Sequence, residues 1–236
     1  MSTDNKTALV TGGSKGIGYG VAKYLLQMGY KGAITSRSIS AARKAADRLS
    51  DYGEIIGLEA DVRNFDSQKK AVKELLDKWK RLDVLVANAG IGHFGSVEDL
   101  SIGQWQETID TNLSGVFYSI KACVDALKES EGYIITISSL AGTNFFAGGA
   151  AYNASKFGLT GFTQAVMLDL RDKGVKVSTI MPGSVSTYFN DNEPSEEDAW
   201  KIQIEDIGEL VGDLLKMNPR TLPSKIEVRP SKPPKK

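Results

Sequence analysis

The sequence predicts a doubly wound α/β fold, in which helices cover both faces of a parallel seven-stranded sheet. Two observations predict it. Short β-rich runs alternate with longer stretches of helical periodicity, and the short runs are apolar almost throughout. This alternation is typical of parallel sheets, whose strands are covered on both faces. The predicted strands are residues 7–11, 32–36, 55–60, 84–88, 133–138, 175–181 and 224–228.

Six amphipathic stretches between these strands are predicted to be helices. They cover residues 17–28, 41–49, 66–79, 102–127, 150–170 and 204–215. Because no stretch resembles a linker or an internal repeat, residues 1–236 are expected to form one domain. Two stretches depart from the alternation. Residues 183–200 are acidic and form a candidate substrate flap, and residues 229–236 form a basic tail with four basic residues and three prolines.

The composition excludes several classes of protein. The 29 basic and 29 acidic residues balance to zero formal charge, whereas a nucleic-acid-binding domain is normally clearly basic. The single cysteine, Cys123, cannot form an internal disulfide, and its apolar helical face indicates a packing role. The N-terminus lacks a secretory pattern, and the apolar runs fall short of the ~18–20 residues that span a bilayer. We therefore expect a cytoplasmic protein that binds neither membrane nor nucleic acid.

A glycine-rich segment follows the first predicted strand and directly precedes the first predicted helix. Such a turn uses glycines for unusual backbone angles and for close approach of a pyrophosphate, which the helix N-terminus binds. A plain strand-to-helix turn would not need three glycines at this spacing. The segment therefore predicts a Rossmann-type dinucleotide site formed by Gly12, Ser14, Lys15, Gly16, Ile17 and Gly18.

The end of the second predicted strand indicates which dinucleotide binds. An NAD site usually carries a carboxylate about 20 residues after the glycines, whereas the 2′-phosphate of NADP calls for Arg or Lys. Here the sequence reads Thr35-Ser36-Arg37, and Lys15 supplies a second cation. Arg37 can bind a phosphate through charge-assisted, bidentate hydrogen bonds. We therefore favour NADP(H) over NAD(H) as the cofactor.

Tyr152 and Lys156 are spaced at i and i+4, which places them on one face of the fifth predicted helix. A phenol that titrates at about 10 is a poor acid–base catalyst at pH 7, and a neighbouring ammonium stabilises its phenolate. The pair therefore predicts a catalytic tyrosine whose pKa is lowered. Taken alone the spacing is a weak signal, because such pairs occur by chance on many helices.

Further short motifs follow in a recognisable order. They are Asn88-Ala89-Gly90 at the end of the fourth strand, Asn112 in the long helix, Ser138-Ser139 at the end of the fifth strand and Pro182-Gly183 after the sixth. Together with the TGxxxGxG and YxxxK patterns, they resemble the short-chain dehydrogenase/reductase family in order and spacing, from residue 6 to about residue 187. The compact length also fits the single-domain branch of that family.

The resemblance implies the catalytic residues Asn112, Ser139, Tyr152 and Lys156. Tyr152 would donate the proton in carbonyl reduction, and Lys156 would lower its pKa and bind the nicotinamide ribose. Ser139 would hydrogen-bond the substrate oxygen, with Ser138 as its less favoured neighbour. Asn112 would hold a water that links Lys156 to solvent.

The resemblance also implies contacts along the rest of the cofactor. Asp61 and Val62 would lie against the adenine, Asn88 and Gly90 along the cofactor, and Val185 and Thr187 at the nicotinamide amide, with Pro182 and Gly183 leading into that segment. His93 follows the Asn-Ala-Gly turn and is interpreted as a loop residue at the border of the pocket. No cluster of residues has metal-ligand spacing, so we expect no catalytic metal.

Three functions remain open. We expect an NADPH-dependent oxidoreductase that reduces a ketone or aldehyde to an alcohol by hydride transfer, reversibly, with Tyr152 as the acid and base. One alternative is a 3-oxoacyl-thioester (acyl-carrier-protein) reductase, but residues 224–230 depart from that branch's glycine-rich ending, and an acidic flap would not attract an acidic carrier. The other is a non-catalytic NADP-binding regulator, which would need only the glycine turn and Arg37.

Small residues recur at spacings of three and four along the helix that carries Tyr152. Such a flat stripe allows close approach of another backbone, either from the sheet or from a second subunit. In the family this helix forms part of a dimer interface, so the resemblance implies a homodimer or homotetramer. The stripe consists of Ala151, Ala154, Ser155, Gly158, Gly161 and Ala165.

Overall fold

A computed structural model describes residues 5–232 of the chain. Its strands form one parallel sheet in the order β3-β2-β1-β4-β5-β6-β7, which confirms the predicted Rossmann-type doubly wound fold. Of the predicted basic tail, residues 229–232 follow the last strand without helix or strand, and residues 233–236 lie outside the described residues. The strands are β1 Thr7–Val10, β2 Lys31–Ser36, β3 Ile55–Glu59, β4 Val84–Ala87, β5 Tyr133–Ile137, β6 Lys176–Pro182 and β7 Lys225–Val228.

The helices lie within a few residues of their predicted bounds, with one correction. The helix predicted over residues 102–127 is not a single α-helix, because a π-helical turn at Asp110–Ser114 separates two α-helical parts. Within residues 5–232 no helix is long and apolar enough to cross a membrane. The helices are α1 Gly16–Gln27, α2 Ile39–Leu49, α3 Phe65–Trp79, α4 Ile102–Ile109, α5 Gly115–Glu129, α6 Ala150–Leu170 and α7 Ile204–Lys216.

Two hydrophobic cores lie on opposite faces of the sheet. Ala8 and Val10 of β1 pack with residues of α1, α2 and α7, whereas Leu9 between them packs with residues of α3, α5 and α6. All three side chains are buried. Since successive side chains of a strand point to opposite faces, a strand covered on both sides must be apolar throughout. This packing explains why the strands read as continuous apolar runs.

The direction of strand order reverses between β1 and β4. Strand β1 pairs with β2 on one side and with β4 on the other, so the loops after β1 and β4 diverge toward opposite faces. In open α/β sheets, ligands bind in the crevice that opens at the carboxyl ends of the strands at such a point. Most of the predicted site residues lie at or after the ends of β1 to β6 and therefore belong to this edge, whereas Asn112, Tyr152 and Lys156 lie on helical segments.

The predicted flap, residues 183–200, contains two short 3₁₀ turns, Phe189–Asp191 and Glu196–Trp200. Its two ends are tied together. The N–H of Ile202 donates to the carbonyl of Ser184 at 3.1 Å, and the N–H of Ser186 donates to the carbonyl of Ile202 at 2.9 Å. The flap therefore leaves the end of β6 and returns beside its own start, directly before α7, as a closed loop.

The small-residue stripe of α6 is divided between two environments. Ala151 and Ser155 are buried within the chain, so part of the stripe serves intrachain packing. The other part is an exposed face that also carries large apolar side chains. The homo-oligomer stays a prediction, for which this face is the candidate surface. Its residues are Ala154, Phe157, Gly161, Ala165 and Leu168.

Candidate active site

A cleft of about 820 Å³ opens at the carboxyl edge of the sheet. This volume lies within the ~300–1,000 Å³ typical of ligand sites. Almost every site residue predicted from the sequence lines it, and the two that do not, Gly18 and Asn112, are buried behind its wall. The predicted residues that line it are Gly12, Ser14, Lys15, Gly16, Ile17, Arg37, Asp61, Val62, Asn88, Gly90, Ser139, Tyr152, Lys156, Pro182, Gly183, Val185 and Thr187.

The turn after β1 requires glycine at two positions for backbone reasons. Gly12 and Gly16 adopt φ angles of 64° and 60°, in the left-handed region that side chains disfavour. At Gly12 there is also no space, since a Cβ would lie 2.9 Å from the Cα of Ala89. The turn therefore runs close against the loop after β4, with its backbone facing the cleft.

Asn88 holds this turn in place. Its Nδ2 donates to the carbonyl of Thr11 at 2.9 Å and to that of Gly12 at 3.2 Å. Gly18 makes room for it, because a Cβ at Gly18 would lie 2.5 Å from that same Nδ2 atom. Both residues were predicted to contact the cofactor. In the structure Gly18 packs behind the turn, and the amide of Asn88 is used to fix the turn's shape.

The N-terminus of α1 suits a bound pyrophosphate. Lys15 occupies the N-cap without a side-chain capping bond, and the first turn of α1 carries no acidic residue. The first N–H groups of a helix lack intrahelical acceptors, and the positive end of the helix dipole favours an anion there. Ser14, Gly16 and Ile17 bring this end to the cleft wall. The residues present thus fit a dinucleotide.

Glu107, at the end of the cleft beyond β2, pairs with two arginines, of which Arg37 lines the cleft and Arg63 does not. Arg37 is 60% exposed, and its Nη1 lies 3.7 Å from Oε1 of Glu107, which is itself 3.3 Å from Nη1 of Arg63. Arg63 also pairs with Asp61, with Nη2 to Oδ2 at 2.7 Å, and its hydrogen bonds hold the pKa of Asp61 below the usual range. Arg37 and Asp61 were predicted from the sequence as cofactor-binding residues, whereas Arg63 and Glu107 were not.

Glu107 also binds His93, whose Nε2 lies 3.0 Å from its Oε2. The hydrogen bond from His93, with the charges of Arg63 and Arg37, holds the pKa of Glu107 below its usual value. His93 and Glu107 both line the cleft. His93 is therefore a loop residue at the pocket, as interpreted, but with a specific partner. No local sequence pattern reveals that partner, because His93 and Glu107 belong to separate elements.

The opposite end of the cleft brings together Ser139, Tyr152 and Lys156. The Nζ of Lys156 lies 5.7 Å from the centroid of the Tyr152 ring and donates to the carbonyl of Ile137 at 3.0 Å. Ser139 follows β5, and its Oγ accepts from the N–H of Ala141 at 3.1 Å. A hydroxyl that accepts such a bond is fixed in position and still has its own proton to donate.

Ser138, the less favoured neighbour, is buried and turned into the protein. Its Oγ lies 3.0 Å from Oγ1 of Thr160 and 3.3 Å from the carbonyl of Lys156. These contacts attach the end of β5 to α6. Ser138 thus has a structural hydrogen-bonding role, and Ser139 is the serine whose hydroxyl contacts Tyr152.

The pKa of Tyr152 differs in direction from the sequence-based expectation. Burial raises it, and the hydrogen bond with Ser139 offsets only part of this effect. Burial also lowers the pKa of Lys156 to about 8. The expected lowering of the Tyr152 pKa by Lys156 is thus not seen, because the desolvation of a nearly enclosed phenol outweighs the favourable interactions of its phenolate.

Asn112 lies in the π-helical turn and is fully buried. Its Nδ2 donates to the carbonyl of Ile91 at 2.8 Å and to Oγ of Ser155 at 3.0 Å, and its Oδ1 accepts from the N–H of Ile91 at 2.8 Å. π-Helical turns are frequent at functional sites. Asn112 thus connects α6 to the loop after β4; its predicted role in holding a water stays a prediction.

Other reactive groups lie away from this chemistry. Cys123 is fully buried in the core, where burial raises the pKa of its thiol, and this agrees with the predicted packing role. Across the part of the chain that the structure describes, no three His, Cys, Asp or Glu side chains are grouped to hold a metal ion.

The family model of the short chain dehydrogenases matches residues 6–198 of the chain. The chain belongs to the short-chain dehydrogenase/reductase family. It is thus a member of an oxidoreductase family, and the resemblance found in the sequence motifs is confirmed.

Relatives within the family carry different names. A 3-oxoacyl-[acyl-carrier-protein] reductase of a Synechocystis species is 40% identical over 190 residues, which cover 79% of this chain and 77% of that one. A trans-4-hydroxycyclohexanecarboxylate dehydrogenase of Sinomonas cyclohexanicum is 36% identical over 77% of this chain and 73% of its own. An alcohol dehydrogenase from the archaeon Thermococcus sibiricus, solved with 5-hydroxy-NADP, superposes with a TM-score of 0.90 at 29% identity, covering 98% of this chain and 99% of that one.

The burial of Lys156 predicts a gain in stability when its charge is removed. A lysine whose pKa falls from 10.5 to about 8 on folding destabilises the folded state by on the order of 3 kcal/mol below pH 8. We expect Lys156→Met to raise the free energy of unfolding at pH 7 by on the order of 1–3 kcal/mol, because the transfer cost of the charge is removed. Urea denaturation without added coenzyme measures this difference.

The pH dependence of that gain is a separate check. Between about pH 8 and 10.5 the unfolded lysine binds a proton that the folded one has lost, so wild-type stability rises with pH and the advantage of Lys156→Met shrinks. Lys44→Met, at an exposed position of α2, should show no such trend. A constant difference between wild type and Lys156→Met from pH 7 to 10.5 would contradict the burial effect.

Proposed function

We propose that the chain is an NADPH-dependent carbonyl reductase that converts a ketone or aldehyde to an alcohol, and that it can run in reverse. The observation that carries the proposal is the convergence of Ser139, Tyr152 and Lys156 in the cleft that also holds the free N-terminus of α1. A protein that only bound a dinucleotide would need the glycine turn and Arg37, but it would not need an acid–base group to act on the carbonyl of a substrate. This favours an enzyme over a regulator.

The chain's own residues handle the proton. NADPH, when bound, supplies the hydride. The Ser139 hydroxyl holds the carbonyl oxygen, and the Tyr152 phenol donates a proton to it. The raised pKa of Tyr152 keeps this phenol protonated at neutral pH, as reduction requires. The Lys156 ammonium, 5.7 Å from the ring centroid, stabilises the tyrosinate that remains.

Arg37 and Lys15 support NADP(H) as the coenzyme. Both line the cleft, and Arg37 lies at the end of β2, the position where NAD sites usually carry a carboxylate. A guanidinium there binds a 2′-phosphate favourably. The alcohol dehydrogenase of Thermococcus sibiricus, solved with 5-hydroxy-NADP, gives further support through its similarity over nearly the whole chain.

A second candidate is the reduction of a 3-oxoacyl thioester. The relative from Synechocystis, at 40% identity, favours it. The chemistry would be the same, since a ketone is again reduced to an alcohol. The acidic flap argues against an acidic carrier protein, because Glu193, Glu196 and Glu197 are exposed beside the cleft.

A substrate panel tests the proposal directly. We expect purified protein to oxidise NADPH with at least one simple ketone or aldehyde, with turnover in the ordinary range of about 1–10³ s⁻¹. The panel includes acetoacetyl-CoA as the thioester, and absorbance at 340 nm reports NADPH consumption. Tight NADPH binding without turnover on any carbonyl would instead support the regulator. A rate on acetoacetyl-CoA that exceeds every simple carbonyl would favour the thioester reductase.

A further inference from the structure

Two phenylalanine rings contact the ring of Tyr152, and a third, Phe146, contacts one of them. The centroid of Phe94 lies 5.3 Å from that of Tyr152, and the centroid of Phe189 lies 5.7 Å from it. Phe94 also contacts Phe189 at 6.4 Å and Phe146 at 6.0 Å. Tilted and edge-on aromatic pairs at about these separations are favourable beyond their buried area. The phenol that donates the proton is therefore set in an aromatic cluster.

The rings of this cluster come from three different loops. Phe94 follows β4, Phe146 precedes α6, and Phe189 belongs to the flap. Phe189 lines the cleft, whereas Phe94 and Phe146 are not lining residues and remain 43% and 48% exposed next to it. Large apolar side chains are rarely clustered in solvent without a binding role. The exposed ring faces are thus available to a bound molecule next to the reacting oxygen.

Two glycines allow the rings to converge. A Cβ at Gly92 would lie 2.8 Å from ring atoms of both Phe94 and Phe189. A Cβ at Gly149 would lie 2.7 Å from the ring of Phe146 and closer still to Oδ1 of Asn153. Neither glycine has a positive φ, so the backbone conformation does not require it. The missing side chains instead leave space that the phenylalanine rings occupy.

The charges of the flap that carries Phe189 disfavour an anionic ligand. The flap exposes Glu193, Glu196 and Glu197, and the cation nearest to them along the chain, Lys201, is paired with Asp198. A carboxylate or phosphate group would be repelled there and would find its counter-charge already neutralised. The site therefore suits an uncharged molecule.

We propose that the substrate is an uncharged aryl ketone or aldehyde, whose aromatic ring packs against Phe94, Phe146 and Phe189 while its oxygen meets Ser139 and Tyr152. This inference rests on the proposed carbonyl reductase. In the reaction the carbonyl carbon gains a hydride and the oxygen gains a proton, so that the ketone becomes an alcohol while NADPH is oxidised to NADP⁺. Phe94 and Phe189 are specificity-determining residues, because they contact the ring that carries the acid.

The test compares acetophenone with butan-2-one, which share a methyl ketone and differ in the ring. We expect wild-type kcat/KM for acetophenone to exceed that for butan-2-one by about tenfold or more, as one well-filled apolar subsite provides. Phe94→Ala and Phe189→Ala should each reduce this ratio by about three- to tenfold, mainly through KM for acetophenone. Phe145→Ala is the matched control, since Phe145 is adjacent to Phe146 but 86% exposed.

The outcomes separate the substrate from the function. NADPH affinity, measured by quenching of tryptophan fluorescence, should stay unchanged in the variants and shows that they fold. Equal or lower activity on acetophenone than on butan-2-one or acetoacetyl-CoA would overturn the aryl substrate but leave carbonyl reduction intact. A ratio that neither Phe94→Ala nor Phe189→Ala changes would overturn the assigned role of the rings. Failure on every carbonyl would count against the proposed function itself.

Discussion

Tyr152→Phe should reduce carbonyl reduction by about 10²- to 10⁴-fold, the contribution of a positioned general acid. The change removes only the hydroxyl, and the phenyl ring that remains can keep its contacts with Phe94 and Phe189 at 5.3 and 5.7 Å. Because no coenzyme-binding surface other than that hydroxyl is lost, we expect the Kd for NADPH to stay within about twofold. Stopped-flow or steady-state NADPH oxidation, with Kd from fluorescence titration, measures both quantities.

The matched control for this variant is Tyr52→Phe. Tyr52 lies in the 3₁₀ turn Ser50–Tyr52 before β3, is 39% exposed and does not line the cleft, so the same atom is removed elsewhere. Its activity should equal that of wild type. A Tyr152→Phe variant that retained more than about a tenth of wild-type kcat would exclude the phenol as the proton donor.

Arg37→Asp should change the coenzyme preference by about 100-fold or more, measured as kcat/KM for NADPH over that for NADH. Loss of a charge-assisted hydrogen bond accounts for about 1.5–3 kcal/mol, and the new carboxylate would repel a 2′-phosphate in addition. Glu107 and Asp61 are already anionic at this end, so Arg63 would be left as the guanidinium that balances them. We expect NADH to be used at least as well by the variant as by wild type.

Arg43→Asp provides the comparison for that change. Arg43 lies on α2 close to Arg37 in the sequence, is exposed and is absent from the cleft lining, so it reproduces the change in net charge without the contact. Its coenzyme ratio should stay within about twofold of wild type at 0.15 M salt, where exposed charges are largely screened. An unchanged ratio in Arg37→Asp would mean that another group binds the 2′-phosphate.

The fold was predictable because a sheet buried on both faces requires strands that are apolar at nearly every position, and this pattern is visible in the sequence. Leu9, between Ala8 and Val10, must be apolar since the second core lies on its side of β1. The π-helical turn around Asn112 could not be predicted in this way. It changes the helical register by one residue and depends on hydrogen bonds to Ile91 and Ser155, which are distant in the chain.

The same distinction applies to the candidate site, where some residues could be predicted from local sequence and others could not. Glycines, Tyr152 and Lys156 are recognisable because their chemistry requires a fixed residue type at a fixed spacing. Glu107 pairs with Arg63 and His93, which belong to other parts of the chain. No local sequence pattern predicts these ion pairs, because they depend on which side chains the fold brings together. The direction of the Tyr152 pKa could not be predicted either, because it depends on the enclosure of the phenol.

The hydrogen bonds that join Ser184 and Ser186 to Ile202 have a consequence for how the enzyme could diversify. They anchor both ends of the intervening loop, so the loop can become longer or shorter without displacing β6 or α7. Each doubling of a flexible loop costs only about 0.6 kcal/mol. New substrates can therefore be accommodated by exchanging this loop, while the sheet and Tyr152 keep their positions.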